Sequence, residues 1–250
     1  MPKTKAVMPE GRRTFSLFRG EAPRQKDIRF RTHNRPIMVF DESGSTGPLG
    51  SDEPDPRSVF TVVSTLAEDS NQFKKVVSDL TGRQWEASSC RRRYETFKKV
   101  VSAFPRKKKG EFKYANATMK DAEPVFDRLT ETDFTFSERH RSRRNETFKD
   151  IGKVKEFYVE AISEMIDEGN PKIPFDVIID EPPIETGPEL KALCRDKLKE
   201  GLEIEWFEVS RSSEEHALQV NDFITGAVGD NVNGIKGKEK LYAKIRGRRR

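Results

Sequence analysis

The sequence predicts an α/β domain whose mixed β-sheet is covered by helices on both faces. Two observations carry this reading. Short apolar runs of strand length alternate with segments of helical period along most of the chain. The first two strand-like runs follow one another across only a Gly/Pro/Ser/Asp-rich stretch, as the arms of a hairpin do. A hairpin followed by alternating helices and strands suits a mixed sheet packed on two sides. The 250 residues suffice to bury a sizeable core, and no linker demands a second domain.

The elements follow in order. Residues 1–34 mix Arg, Lys, Pro and Gly without a period and read as a basic N-terminal arm. Ile37-Met38-Val39-Phe40 reads as a buried strand closed by the turn Asp41-Glu42-Ser43-Gly44, and Val59 to Ala67 as its hairpin partner. Asp69 or Ser70 caps a helix through Phe73, Val76, Val77 and Leu80. A basic helical stretch lies around Tyr94, Phe97, Val100 and Val101, and Glu111-Phe112-Lys113-Tyr114 alternates like a strand. A helix is expected over 119–130, a short strand over Phe134-Thr135-Phe136, and the longest helix over 146–168. The strand 175–180 is stopped by Pro182-Pro183. A helix over 188–199, a strand over 204–209, a helix over 214–228 and a short basic helix through Leu241, Tyr242 and Ile245 complete the chain. The main domain is thus bounded at 35–232, with a basic tail over 233–250.

Lys and Arg number 47 against 42 acids, a net charge of +5. The distribution says more than the sum. Ten Lys/Arg fall in residues 1–40, eight in Lys236–Arg250, and further runs stand at Arg91-Arg92-Arg93 and Arg106-Lys107-Lys108-Lys109. Such clusters can neutralise phosphates, so nucleic acid, RNA or DNA, is the expected partner; solvated termini and loops are the plainer account of the same runs. Cys90 and Cys194 make neither a disulfide framework nor a thiolate metal site, which suits a reducing cytoplasm. Met1-Pro2-Lys3-Thr4-Lys5 leads into no apolar stretch, and no run long enough to cross a membrane exists. Neither a signal peptide nor a membrane partner is expected. Oligomeric state stays open.

Two apolar strands end in paired acids, Asp41-Glu42 and Asp180-Glu181. Ligands in α/β sheets bind beyond the carboxyl ends of parallel strands. Neighbouring strand residues point to opposite faces, so one acid of each pair faces a site and the other faces elsewhere. Asp41 and Asp180 lie nearer the rigid strand and are taken as the site acids, with Glu42 and Glu181 outside it. Asp222 is the third candidate, an acid inside the apolar helix Ala217–Ala227. Helical geometry puts Gln219, Asp222, Gly226 and Gly229 on one side, where two glycines would let it press on the sheet. A strand-end Asp also serves as a turn residue, and a mid-helix Asp as an Arg partner. The joint occurrence points to a carboxylate cluster for Mg²⁺ or Mn²⁺ with Asp41, Asp180 and Asp222 as metal ligands. Such a site hydrolyses phosphodiesters by in-line displacement.

With these segments in view, the chain resembles the DUF3800 family. The resemblance rests on Asp41-Glu42-Ser43-Gly44, on Ile178-Ile179-Asp180-Glu181, and on Leu218-Gln219-Val220-Asn221-Asp222. A middle Glu-x-Lys motif is similar to Glu111-Phe112-Lys113. It implies a ribonuclease H-like fold and a presumed metal-dependent nuclease site in which Asp41, Glu111, Asp180 and Asp222 are the catalytic candidates. Ser45 and Asn221 depart from the pattern, where Asp or Asn and Ala respectively are usual.

His33, His140 and His216 have no metal-ligand spacing, and Ser43 stands in no Gly-x-Ser-x-Gly elbow. Two functions follow from different classes. One is a divalent-metal-dependent nuclease, a hydrolase of RNA or DNA. The other is a ribonuclease H-like scaffold that binds nucleic acid or protein without cutting.

Overall fold

The computed structural model describes residues 34–45, 58–80, 113–212 and 215–250. Its strands are β1 (Ile37–Ser43), β2 (Val59–Ala67), β3 (Phe134–Ser142), β4 (Phe175–Asp180) and β5 (Ile204–Ser210). Its helices are α1 (Ser70–Leu80), α2 (Met119–Thr130), α3 (Ile151–Gly169), α4 (Gly187–Lys197), α5 (His216–Val232) and α6 (Glu239–Ile245). The strands form one sheet in the order β3-β2-β1-β4-β5. β1 is antiparallel to β2, β2 antiparallel to β3, and β1–β4 and β4–β5 are parallel. This is a mixed five-stranded sheet. The carboxyl ends of β1, β3, β4 and β5 all emerge at one edge.

Side-chain alternation along β1 explains the two layers. Ile37 and Val39 join Val63, Ile178 and the apolar faces of α1, α2, α5 and α6. Met38 and Phe40 join Val177, Ile179 and Phe207 with α3 and α4. Continued by the same period of two, Asp41 falls on the α5 face and Glu42 on the α3 face.

Several boundaries differ from expectation. Tyr114–Asn116 forms a 3-10 turn instead of a strand, because the Tyr114 N–H is taken by the Asp222 carboxylate rather than by a sheet neighbour. Glu111, Phe112, the arm at 1–33 and the basic stretch around Tyr94 lie outside the described residues. The longest helix starts late: Glu146–Lys149 is a separate 3-10 turn, and Asp150 caps α3 by accepting from Gly152 N at 2.8 Å. β3 continues past Phe136 to Ser142 because all nine residues of β2 pair with it, which carries the charged run Glu138–Arg141 into the sheet.

The C-terminal segment is part of the core rather than a separate basic tail. Leu241 and Ile245 are fully buried with α2 and α5, and Arg250 N donates to Phe136 O at 2.8 Å beside β3. Its cations pair with acids of the domain: Lys240 with Glu123, Lys244 with Asp127, Arg248 with Asp133, and Arg249 with Glu138. Burying each of these two aliphatic side chains contributes about 1.5–3 kcal/mol. Deleting residues 236–250 should therefore leave a protein that unfolds at markedly lower urea, whereas Arg246→Glu should keep the wild-type midpoint. Equal midpoints for the deletion and the full chain would contradict this docking.

Asn221, the departure noted in the helix motif, ties α5 to the sheet. It is fully buried, accepts from Thr65 Oγ1 at 2.5 Å and donates to the Val39 carbonyl at 3.3 Å. Asn221→Ala orphans two buried groups and should cost roughly 1–3 kcal/mol in urea denaturation.

Candidate carboxylate site

The three acids named from sequence reach one end of the sheet from three elements. Asp41 lies in the carboxyl-terminal half of β1. Its neighbour across the parallel ladder ends at Asp180, since Phe40 pairs with Ile179. Asp222 sits on α5, which packs across β1 and β2 on the face that Asp41 occupies. Two glycines set the closeness of approach. A Cβ at Gly229 would overlap Ser43 at the end of β1, and one at Gly226 would overlap the Tyr114 ring.

Each carboxylate is oriented by a donor. Asp41 is 5% exposed and its Oδ1 accepts from Glu42 N at 2.8 Å. Asp180 Oδ1 accepts from Ser212 N at 3.0 Å, and Asp222 Oδ2 from Tyr114 N at 2.6 Å. These bonds come from backbone N–H groups, which hold a carboxylate without neutralising it.

The electrostatics report the crowding. Burial drives the Asp41 carboxyl well above the ordinary range, and the charges of Asp222, Asp180 and Glu42 push it further. Asp180 is raised to about 6, chiefly by burial and also by Asp222, against the opposing pull of Lys113 and the Ser212 N–H. Mutual repulsion of this kind means that Asp41, Asp180 and Asp222 share one electrostatic site.

Sequence reasoning placed Glu42 outside the group, and the structure draws it in. Burial and Asp180 raise its carboxyl to about 7, while a hydrogen bond from the Tyr158 hydroxyl at 3.1 Å and the charge of Lys113 hold it down. Tyr158, fully buried on α3, is itself raised well above the ordinary phenol by burial and by Glu42, Asp41 and Asp180. Glu42 thus approaches from the opposite face of β1. Nothing in its strand position announced this, because alternation alone turns it away from Asp41. Glu181 does stand apart, pairing with Arg211 Nε at 2.7 Å. Glu111 lies outside the described residues. The part of Tyr114 was missed because it read as a strand residue, and Lys113 entered only as the end of the Glu-x-Lys motif.

His216 is buried at the start of α5, and burial pushes its imidazole down to about 4, so it is neutral near pH 7. Cys194 is a buried free thiol raised to about 12. Among the described residues no helix is long and apolar enough to cross a membrane.

A divalent cation suits the donor chemistry here: hard carboxylate oxygens carrying more negative charge than the neighbouring Lys113 balances. As the side chains stand, however, no three Asp, Glu, His or Cys among the described residues form a group able to hold a metal ion.

No family model and no curated protein matches the chain. Among solved structures, a chain of the PCNA:RNase HII complex from Archaeoglobus fulgidus is similar, with 13% identity and a TM-score of 0.49, covering 83% of this chain and 76% of that one.

Proposed function

We propose that the chain is a divalent-metal-dependent nuclease that hydrolyses phosphodiester bonds of RNA or DNA at the Asp41–Asp180–Asp222 cluster, consistent with its resemblance to the DUF3800 family. The observation that carries this reading is the crowding itself. Three elements bring acids to one sheet edge where burial and repulsion raise Asp41 and Asp180 together, an arrangement that costs stability unless a cation is bound. Asp41, Asp180 and Asp222 would hold Mg²⁺ or Mn²⁺, and Glu42 would border it. When bound, the ion supplies Lewis acidity at the phosphate. The backbone N–H groups of Glu42, Ser212 and Tyr114 keep the acids oriented.

A basic surface beside this edge suits a nucleic-acid partner. β3 ends at the same edge as β1, since Ser43 pairs with Thr61 and Thr61 with His140. The chain there carries Arg141, Arg143, Arg144, Lys149 and Lys153, of which Arg144, Lys149 and Lys153 are exposed. These cations lie where they could position phosphates beside the acids.

One observation favours the non-cleaving scaffold, namely that the described side chains do not already stand in a metal-holding group. The deciding experiment is incubation of the purified chain with labelled single-stranded RNA, single-stranded DNA and an RNA–DNA hybrid, in Mg²⁺, Mn²⁺ or EDTA. Cleavage that requires metal supports the nuclease; binding of any substrate with no cleavage supports the scaffold.

A further inference from the structure

All three acids accept a backbone N–H, but Asp222 alone takes its donor from the 3-10 turn Tyr114–Asn116. Its Oδ2 accepts the Tyr114 N–H at 2.6 Å. Tyr114 is 2% exposed and is gripped along α5. Its ring fills the space left by Gly226, where any Cβ would overlap it. The ring meets Phe223 edge-on, with centroids 5.9 Å apart. Its hydroxyl donates to the buried Asp230 Oδ2 at 2.7 Å, and the Lys238 ammonium lies over the ring at 4.1 Å.

These contacts have one geometric consequence. The side chain of Tyr114 runs toward the carboxyl-terminal half of α5, and its backbone N–H is left facing Asp222. The preceding residue, Lys113, is carried toward the acids by the same anchorage. The vacancy at Gly226 seats the ring and Asp230 accepts from the buried hydroxyl, so both contacts fix where Tyr114 stands along α5.

We propose that Tyr114 is the positioning residue of the carboxylate site: clamped by Gly226 and Asp230, it presents its backbone N–H to Asp222 and holds that carboxylate toward Asp41. The effect on catalysis rests on the nuclease reading; the positioning itself does not.

Two measurements test it on the full-length chain. Hydrogen exchange at the Tyr114 amide, read by NMR, should quicken at least tenfold in Asp222→Ala, in Gly226→Ala and in Asp230→Ala, while amides in β4 and β5 keep their wild-type protection. Tyr114→Phe should also quicken this exchange, because it takes from the buried Asp230 carboxylate the hydroxyl that donates to it. Steady-state cleavage in Mn²⁺ should show kcat lowered about 10–100-fold in Gly226→Ala and Asp230→Ala with KM within twofold of wild type, since positioning acts on the reacting centre rather than on substrate binding. If Gly226→Ala does not fold, Asp230→Ala carries the test. An unchanged Tyr114 amide in Asp222→Ala would overturn the proposal, as would a folded Asp230→Ala with wild-type exchange and kcat. Should the wild-type chain cleave nothing, the nuclease reading falls, and amide exchange alone decides the positioning role.

Discussion

Asp41→Asn is expected to abolish metal-dependent cleavage, lowering the rate by at least about 10³-fold, while leaving the fold intact. Asparagine keeps the Oδ1 that accepts the Glu42 N–H, so the local geometry at the end of β1 survives. What is lost is a negative charge at the most buried of the three acids. Metal-assisted stabilisation of a transferring phosphoryl group amounts to several kcal/mol, and each 1.36 kcal/mol is tenfold in rate, which sets the expected loss at roughly 10³ or more. Binding of the same substrate should persist or strengthen slightly, because an anion is removed from beside the phosphates. Gel-shift and cleavage assays on one preparation separate the two effects. Cleavage that survives the substitution would move the chemistry to another site.

In EDTA, the stability of the wild-type protein should fall as pH rises from about 5 to about 7.5. Asp180 titrates at about 6 instead of 3.8, Glu42 at about 7 instead of 4.5, and Asp41 is raised as well. Between each such pair of values the folded state retains a proton that the unfolded chain has released, so raising the pH favours unfolding. A displacement of about two pH units is worth about 3 kcal/mol, and because these acids share the same repulsion their effects add to less than the sum. His216 works in the opposite sense. Its folded value near 4 lies below the ordinary 6.5, so the unfolded state alone takes up a proton on acidification between them and stability falls there. Three carboxyls against one imidazole leave the downward trend dominant above pH 5, and above 6.5 the imidazole no longer opposes it. The melting temperature should drop by about 5–10 °C across this range.

Millimolar Mn²⁺ at pH 7.5 should recover most of that loss, since a ligand at 100 times its Kd stabilises the native state by about 2.7 kcal/mol. Asp180→Asn should flatten the pH profile and blunt the metal response together, because it removes one member of the repelling group. Thermal melts at pH 5.5, 6.5 and 7.5, with EDTA or Mn²⁺, read all of this directly. A flat profile in EDTA would mean that the acids are not crowded as described, and a melting temperature indifferent to Mn²⁺ would remove the metal from the site.

The α/β class, the hairpin start and the placing of Asp41 and Asp180 at strand ends and of Asp222 on a helix were legible from residue order alone. Each rests on a local signal. A β-branched apolar run ending in an acid marks a strand and its site end. An acid in an otherwise apolar helix marks an anomaly that needs an explanation. The helix 119–130 and the strand 175–180 were equally legible, because period and stop are carried by neighbouring residues, as where Pro182-Pro183 stands just past the end of β4.

What tertiary structure decided was which charges meet. Glu42 points away from Asp41 by strand alternation, yet the sheet is one residue thick, so its carboxylate still feels Asp180 from the other side and meets Tyr158 on α3. Tyr114 looked like a strand residue until the fold spent its N–H on Asp222 and its hydroxyl on Asp230, 108 and 116 residues away. The C-terminal run of Lys and Arg read as a basic tail, but α6 buries Leu241 and Ile245, and Lys240, Lys244, Arg248 and Arg249 pair with Glu123, Asp127, Asp133 and Glu138. Local sequence carries backbone preference and polarity, whereas the partner of a charge is set by contacts far apart in the chain.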